Sequence, residues 1–434
     1  MKNSFRNTCL GFLVLLPLVG PAFVRAQAIS GDVTGVVSDA SGAAIPDATV
    51  TALNEATGVK TTAASNAEGV YRFNNLPISK YTITGSASGF ASNSLKNLEV
   101  TLTTVVTANL SLAVGATATT VEVSGGTVAV DTTTAQLQTT FDSKQSVDLP
   151  SAGLSKVING AGIWNLSLLG AGVSSQGGVG QGTGPAISGQ RPENNSFNLD
   201  GVSNNNHYTT GPLVYVSNES VAEVSLLQNQ FSPEFGGASG GVFNALVKSG
   251  TNSIHGTVYE YFQNRHLDAV DSLDWVAGLT SNPRYDNNRL GATIGGPIIK
   301  NKLFYFGNFE YNPIGQSGTP GAPLFAPTAA GYSALANIPG LSATNLQQFQ
   351  KYVPAAATNN QGTISVAGVP IPVGSVSLIS PQYANNYNAI VSLDYNASDK
   401  DQLRGRWIYN KSEGTEVPGP QIPTFALLFP NNNY

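Results

Sequence analysis

The sequence predicts a mainly β protein in three parts: an N-terminal β-sandwich, a mixed β/α region, and the first strands of an incomplete transmembrane β-barrel. Three observations support this prediction. Short Gly-, Thr- and Val-rich segments fill the chain up to Gly250. Beyond it, apolar or aromatic side chains alternate with charged or amide ones, as in a wall between lipid and water. Charged residues make up only 11% of the chain, which favours β structure over helical bundles.

Residues 1–28 have the three parts of a secretory signal peptide. Lys2 and Arg6 are basic, Leu10–Val19 is apolar, and Ala26–Ala28 is a small-residue exit. The alternative, a membrane-anchoring helix, is disfavoured because the apolar run is short and contains proline. We therefore expect cleavage at this exit. The mature chain then has no cysteine, because Cys9 lies inside the leader.

Charge and composition exclude several kinds of partner. The net charge is −5, and removing the three basic residues of the leader takes it to −8. Nucleic-acid binding needs clustered Lys and Arg, so we expect no nucleic-acid partner. The histidines, His207, His255 and His266, share no ligand-like spacing. We therefore expect no metal and no cofactor.

Residues 29–114 are expected to form the β-sandwich. Turn residues separate its short strands, which suits an antiparallel sandwich of immunoglobulin-like size. The strand candidates are Val33–Ser38, Thr49–Leu53, Lys60–Ala64, Val70–Phe73, Tyr81–Gly85 and Val105–Leu112.

The same region resembles the carboxypeptidase regulatory-like domain. The resemblance rests on Gly35–Gly42, Ile45–Val50, Glu68–Phe73, Leu76–Pro77, Tyr81 and Gly89–Phe90. Ser79 departs from the family's usual glycine, which puts the type of that turn in doubt. The resemblance implies a carbohydrate binding-like fold that serves packing and interaction. It does not imply a peptidase, because a zinc site needs His and Glu ligands and this region has no histidine.

A linker is expected over residues 115–130. It contains a short extended segment flanked by Gly and Ala, made of Thr120, Val121, Glu122, Val123 and Ser124. This segment resembles the TonB box, a peptide that adds a strand to a sheet of TonB, a protein anchored in the inner membrane. The resemblance implies TonB as a partner. A last sandwich strand or a plain linker is the alternative, and it stays open.

Residues 131–250 resemble the plug domain of TonB-dependent transporters. The resemblance rests on an ordered series of motifs, Ile187–Arg191, Phe197–Val202, Val221–Val224, Glu234–Gly236 and Gly240–Gly250. It implies structural roles for Arg191, Asp200, Gly201, Gly236, Gly240, Gly241 and Asn244.

The residue types of this region support such roles. Asp200–Gly201 suits a hairpin turn that needs positive φ, and the glycine pairs suit tight turns or close backbone approach. Arg191 is expected to pair with an acid of the plug or of the barrel wall. Gly237–Gly241 also matches the Gly-x-Ser-x-Gly motif of hydrolases, which requires a following helix. Val242–Val247 instead has the character of a strand, so we predict that the protein is not an enzyme.

Residues 251–434 supply the barrel. The strand candidates are Asn252–Asn264, Asn287–Ile299, Lys302–Asn312, Asn386–Asn396 and Gln402–Asn410. In the last of them one face carries Leu403, Gly405, Trp407 and Tyr409, and the other carries Gln402, Arg404, Arg406 and Asn410. The Leu303–Tyr311 segment is apolar on both faces, as expected of an early wall strand that touches the plug.

Connection lengths agree with a barrel. Tight turns alternate with connections of about twenty and about seventy residues, as in outer-membrane barrels with periplasmic turns and external loops. The stretch Gly291–Phe306 also resembles Oar-like members of the TonB-dependent family. Five strands cannot close a membrane barrel. We therefore expect the chain to be the N-terminal part of a longer transporter or a truncated product.

These resemblances imply a TonB-dependent receptor in a Gram-negative-type outer membrane. Its barrel contacts outer-membrane lipid, its N-terminal domain lies in the periplasm, and its external loops bind a ligand for energy-coupled uptake. The ligand class stays open between glycan, siderophore and peptide. Two alternatives also stay open: an adhesion or surface protein that uses the barrel as an anchor, and a non-functional fragment.

Overall fold

The computed structural model describes residues 29–115, 122–124, 136–149, 162–180, 183–206, 210–270, 282, 284–318, 324–376, 380–398, 401–416 and 429–430. The predicted leader lies outside the described residues, as do Thr120 and Val121. Within the described parts of the chain, no helix combines the length and the apolar character needed to cross a membrane.

The N-terminal region is a β-sandwich, hereafter the sandwich. Its strands are β1 (Ser30–Asp39), β2 (Thr49–Asn54), β3 (Lys60–Ala64), β4 (Val70–Pro77), β5 (Ser79–Ser86), β6 (Asn93–Val100), β7 (Val105–Thr107) and β8 (Leu110–Leu112). One sheet holds β4, β7 and β8 around β1, and the other has the order β3-β2-β5-β6. Alternate residues of both sheets point inward and form one core, which includes Val33, Val50, Tyr71, Ile83 and Leu110.

The structure corrects the predicted strands of the sandwich in two places. Val105–Leu112 is not one strand but two, because Ala108 and Asn109 leave the ladder and bind β1 differently. Ala108 N donates to Thr34 O, and Asn109 Oδ1 accepts from Val36 N at 3.0 Å. The sequence also does not predict β6, in which Asn97 has a φ of 56° and breaks the two-residue alternation.

The region that follows contains a five-stranded sheet, hereafter the central sheet, of order β10-β15-β16-β13-β14. Its strands are β10 (Leu137–Asp142), β13 (Ser196–Leu199), β14 (Val202–Ser203), β15 (Val221–Asn229) and β16 (Val242–Val247). A separate hairpin pairs β11 (Val173–Gly180) with β12 (Thr183–Ile187). Helix α1 (Ser143–Asp148) begins with a capping box between Asp142 and Gln145. The 3-10 helices span Gly162–Leu169, Pro192–Asn194, Asn218–Ser220 and Pro233–Phe235.

The last region contains a six-stranded sheet in the described residues, hereafter the wall sheet, of order β17-β18-β19-β23-β24-β25. Its strands are antiparallel: β17 (His255–Asn264), β18 (Tyr285–Ile299), β19 (Leu303–Gly318), β23 (Ser380–Asn396), β24 (Gln402–Glu416) and β25 (Phe429–Pro430). The predicted barrel strands are confirmed, most of them longer than predicted.

The connection between β19 and β23 folds into a small unit, hereafter the external subdomain (residues 324–376). It contains β20 (Leu324–Pro327), α2 (Ala329–Ala336), α3 (Ala343–Tyr352), β21 (Thr363–Val366) and β22 (Val369–Val376). The strand order is β20-β22-β21. Thr328 caps α2 and Ser342 caps α3, each with its side-chain oxygen.

The wall sheet has the two predicted faces. Leu403 is 64% exposed and Trp407 is 56% exposed on the outside, whereas the Arg406 side chain on the inside is only 12% exposed. Phe306 of β19 and Ile390 of β23 are buried in the core of the central sheet. This confirms that an early wall strand is apolar on both faces, because its inner face packs on another sheet.

Candidate functional site

The hairpin between β13 and β14 carries the predicted Asp200–Gly201 turn. The two residues have φ values of 48° and 76°, which is the left-handed geometry of a two-residue turn. Asp200 N donates to Ala245 O at 2.9 Å, and Asp200 Oδ1 accepts from Val247 N at 2.9 Å. The turn is therefore tied to the end of β16, and its second carboxylate oxygen points away from the central sheet.

That second oxygen belongs to a buried ionic cluster at the wall sheet. Arg406 Nε donates to Asp200 Oδ2 at 2.7 Å, and Arg406 Nη1 donates to Asp394 Oδ1 at 2.6 Å. Ser249, after β16, also donates to Asp394. The three charged side chains are 10–12% exposed. One guanidinium thus bridges carboxylates of two sheets, in charge-assisted hydrogen bonds.

The predicted roles of Gly240, Gly241 and Asn244 concern the packing around β16. A Cβ on Gly240 would lie 2.4 Å from Asn195 Oδ1, and a Cβ on Gly241 would lie 2.3 Å from Ile187 Cδ1. Neither position has room for a side chain. Asn244 is buried, and its Oδ1 accepts from Asn198 Nδ2 at 3.0 Å on the neighbouring parallel strand.

Two other predicted plug residues, Gly236 and Arg191, are exposed. Gly236 has an ordinary φ of −60°, and the turn instead uses Gly237, whose φ is +86°. Arg191 is exposed before Pro192, and in the described residues no ion pair joins it to an acid. The ion pair of Arg191 therefore stays a prediction. Asp200 is paired with Arg406 of the wall sheet, because β24 passes beside the Asp200 turn.

Residues 215–220 form a polar seam with the inner face of the wall sheet. Tyr215 N donates to Asn410 Oδ1 at 3.0 Å, and Tyr215 O accepts from Asn388 Nδ2 at 2.7 Å. Asn308 Nδ2 donates to the hydroxyls of Ser217 and Ser220. Amide side chains on the inner face of three wall strands thus supply hydrogen-bond partners for the irregular segment before β15.

The box candidate lies beside the sandwich. Its described part is β9 (Glu122–Ser124), which pairs in parallel with β6 and makes the sandwich sheet five-stranded. The register joins Ser94 to Glu122, Leu95 to Val123 and Lys96 to Ser124. β9 is therefore an edge strand held by one neighbour over three residues.

The sandwich docks on the central sheet through one loop. Leu102 N donates to Glu223 Oε1 of β15 at 2.7 Å, and Leu102 O accepts from Gln138 Nε2 of β10 at 2.8 Å. Burial raises the pKa of Glu223 to about 7, and the carboxylates of Glu99 and Asp142 add to the shift, while the Leu102 N–H opposes it.

A second loop of the sandwich docks on the wall sheet. Asn252 N donates to Ala56 O at 3.0 Å, and Asn252 Nδ2 donates to Thr57 O at 2.6 Å. Asn301, in the β18–β19 turn, donates its N–H to Asn252 Oδ1 at 2.9 Å. The short turn of the wall sheet therefore faces the sandwich.

The sequence prediction does not select Arg406 or Glu223 as site residues. A signal exists for Arg406, because it lies on the predicted polar face of its strand. Glu223 belongs to a predicted plug motif. Its hydrogen bond with Leu102 of the sandwich, 121 positions earlier in the chain, is visible only in the folded structure.

Two family models match the chain. The carboxypeptidase regulatory-like domain matches residues 32–113, and the outer membrane β-barrel domain matches residues 246–433. These matches cover the sandwich and the wall sheet respectively.

Among curated proteins, the chain is similar to the TonB-dependent transporter Oar of Myxococcus xanthus, with 28% identity over 293 residues. That alignment covers 66% of this chain and 27% of Oar. It is also similar to the probable TonB-dependent siderophore receptor PirA of Acinetobacter baumannii, with 27% identity over 194 residues, 41% of this chain and 24% of PirA. The chain thus aligns with about a quarter of the length of each relative.

Solved structures give weaker likenesses. The siderophore receptor PirA from Acinetobacter baumannii has a TM-score of 0.38 and 18% identity, covering 64% of this chain and 32% of PirA. The outer membrane transporter YddB from Escherichia coli has a TM-score of 0.40 and 14% identity, covering 65% and 34%. Scores this low leave the assignment to the sequence matches.

Proposed function

We propose that this chain is a Gram-negative outer-membrane β-barrel protein of the TonB-dependent receptor kind, with an N-terminal carboxypeptidase regulatory-like domain, and that it takes part in energy-coupled uptake of a ligand; the two family matches and the similarity to Oar support this. In this proposal, the ligand binds at the external side, the central sheet is the plug, and TonB pulls on the segment Thr120–Ser124. Ligand classes are glycan, siderophore or peptide. No covalent step is involved.

One observation carries the plug assignment: the Arg406 bridge between Asp200 and Asp394. The bridge ties the central sheet to the polar face of the wall, which is the face expected to line a lumen. The cluster also opposes separation of the two sheets, because removing one partner leaves the other charges buried without a counter-charge. The central sheet is therefore held in place by few strong contacts and many weaker amide contacts.

The placement of β9 supports its role as the coupling peptide. A peptide that pairs with TonB must add its backbone to the edge of a sheet. β9 already does so with β6, over three residue pairs only. We infer that β9 leaves β6 when TonB binds, so the sandwich stores the coupling peptide between transport cycles.

Deletion of Thr119–Ser124 tests the coupling role. In the protein as the cell makes it, we expect the deletion to abolish uptake and to leave ligand binding unchanged, because the external side is untouched. Uptake by cells and binding to isolated membranes are the two measurements. Retained uptake would exclude this segment as the coupling peptide.

A disulfide between β6 and β9 tests the release step. Lys96→Cys and Ser124→Cys are register partners, and neighbouring strands bring Cα atoms within disulfide reach. We expect oxidation to stop uptake and reduction to restore it, with each single variant as the control. Uptake by the oxidised double variant would show that β9 need not leave β6.

The second candidate function is adhesion at the cell surface. It is favoured by the external subdomain, which has a small core of its own formed by Ile338, Ile371 and Val373. Collapse of the proton gradient separates the two functions. We expect ligand accumulation to stop with the gradient, whereas accumulation that persists would favour adhesion.

A further inference from the structure

The external subdomain lies at the end of the wall sheet opposite to the sandwich. The turn at Asn301 contacts the sandwich through Asn252. β19 runs away from that turn and ends at Gly318, and β23 returns from Ser380. In the proposed receptor the sandwich is periplasmic, so the subdomain between these two strands lies on the outer side of the membrane.

One face of its sheet is apolar on all three strands. Residues two apart in a strand point to the same side, and the register aligns Pro327 with Val373 and Ile371 with Ile364. Helices α2 and α3 stand over this face with Leu335 and Phe349. The arrangement is a helix layer on a sheet layer.

Between the two layers lies a cleft of about 550 Å³ that is open to solvent on one side, and its volume falls in the size range of ligand pockets. Around the opening, Phe325 is 58% exposed, Phe349 is 46% exposed and Ile364 is 51% exposed. Such a group of exposed apolar side chains marks a contact surface.

The charge of this connection indicates the class of occupant. Lys351 is the only charged residue between Thr319 and Ile379. It stands at the end of α3, with Nζ 5.3 Å from the centroid of the Tyr352 ring. Charged ligands are bound most strongly by side chains of opposite charge. This connection offers one Lys and no acid, which favours an uncharged ligand.

One polar side chain lines the cleft and would orient the ligand. Gln361 Nε2 donates to Ser375 Oγ at 3.0 Å, which fixes the amide. No hydrogen bond to its carbonyl oxygen Oε1 is found within the described residues, so that oxygen can accept one from a donor on the ligand. An apolar pocket with one placed polar group is the usual composition of a small-molecule site.

We propose that this cleft, between the sheet and helices of the external subdomain, binds an uncharged ligand that carries an aromatic or branched aliphatic group and a hydrogen-bond donor. The proposal names the ligand class for the external side, and so it rests on the proposed receptor function.

Protection of a single cysteine tests it. Cys9 is the only cysteine of the chain, so Cys9→Ser with Ile364→Cys gives one thiol at the cleft. Cys9→Ser with Leu341→Cys gives a matched control, because Leu341 is 43% exposed in the same subdomain but does not line the cleft. The protein as the cell makes it, in isolated outer membranes, is alkylated with a water-soluble maleimide, with and without N-acetyl-tryptophanamide, an uncharged aromatic probe.

We expect the probe to slow alkylation of Ile364→Cys about tenfold at about ten times its dissociation constant, because only the free fraction reacts. Leu341→Cys should react at an unchanged rate. Phe349→Ser, added to Ile364→Cys, should weaken protection by removing one wall of the cleft.

The proposal is overturned if the probe protects neither cysteine, if it protects both equally, or if the anion N-acetyl-glutamate protects Ile364→Cys as well as the uncharged probe does. The labelling needs no TonB and no proton gradient. Protection without energy-dependent uptake would therefore remove the transport function and keep the cleft, and the reverse result would remove the cleft and keep transport.

Discussion

The sandwich and the wall sheet have the same two-residue alternation and use it in opposite directions. In the sandwich, the alternate apolar residues, such as Val33 and Ile83, face inward and are fully buried. In the wall sheet they face outward, as Val258 and Trp407 do, at 88% and 56% exposure. The alternation therefore fixes a strand but not the medium on each side of it. What distinguishes the wall sheet is its inner face, which points Arg406 and several amide side chains toward the central sheet.

The largest expected effect comes from removing the buried ionic bridge on the inner face of the wall sheet. Arg406→Ala leaves Asp200 and Asp394 buried without a counter-charge, which should lower the free energy of unfolding by about 3–5 kcal/mol. Arg284→Ala is the matched control, because Arg284 pairs with Asp286 while 61% exposed, and its loss should cost less than about 1 kcal/mol. Urea unfolding of the membrane-embedded protein gives both values. Equal costs would contradict a buried bridge.

The outer face of the wall sheet is tested by placing lysine there and, for comparison, on the water-exposed surface of the sandwich. Val391 of the wall is 44% exposed and Val36 of the sandwich is 37% exposed. Val391→Lys should cost about 2–4 kcal/mol because its side chain meets hydrocarbon. Val36→Lys should change stability by no more than about 0.5 kcal/mol because its side chain meets water. Similar effects at both positions would mean that the wall sheet does not face lipid.

The smallest effect concerns the contact that joins the sandwich to the central sheet. Burial raises the pKa of Glu223 to about 7, so the folded protein binds more protons than the unfolded chain between about pH 4.5 and pH 7. Stability from this group is fully present below about pH 4.5 and is lost as the pH rises to about 7.

Glu223→Gln is the control for that pH dependence. The amide keeps an oxygen that accepts from Leu102 N and cannot ionise, so this part of the slope should disappear. Unfolding midpoints at pH 5 and pH 8 are compared for the two proteins. An unchanged slope in the variant would assign the pH dependence to other groups.

The sequence predicts the strands of the wall sheet well because their alternation is long and regular. It fails at β6, where Asn97 adopts positive φ and shifts the register. It also fails to predict the external subdomain, whose Pro-, Gly- and Ala-rich sequence resembles an ordinary loop. Short helices and strands there are fixed by tertiary contacts, such as the hydrogen bond from Tyr332 Oη to Val353 O.

For the site, the sequence predicts local geometry and not distant partners. The Asp200–Gly201 turn follows from its own residue types. The cation that meets Asp200 lies 206 positions further along the chain, and Arg191, which is nearer in sequence, faces solvent. Only the fold decides between two arginines of equal chemistry.

The central claim is that the apolar face of the wall sheet lies in hydrocarbon, and lipids with brominated acyl chains test it most directly. Trp407 is on the outer face, whereas Trp164 is 1% exposed in the core of the central sheet. We predict that brominated lipids quench the tryptophan fluorescence of the membrane-embedded protein, and that Trp407→Phe removes most of that quenching while Trp164→Phe does not. Equal quenching with and without Trp407 would contradict the account.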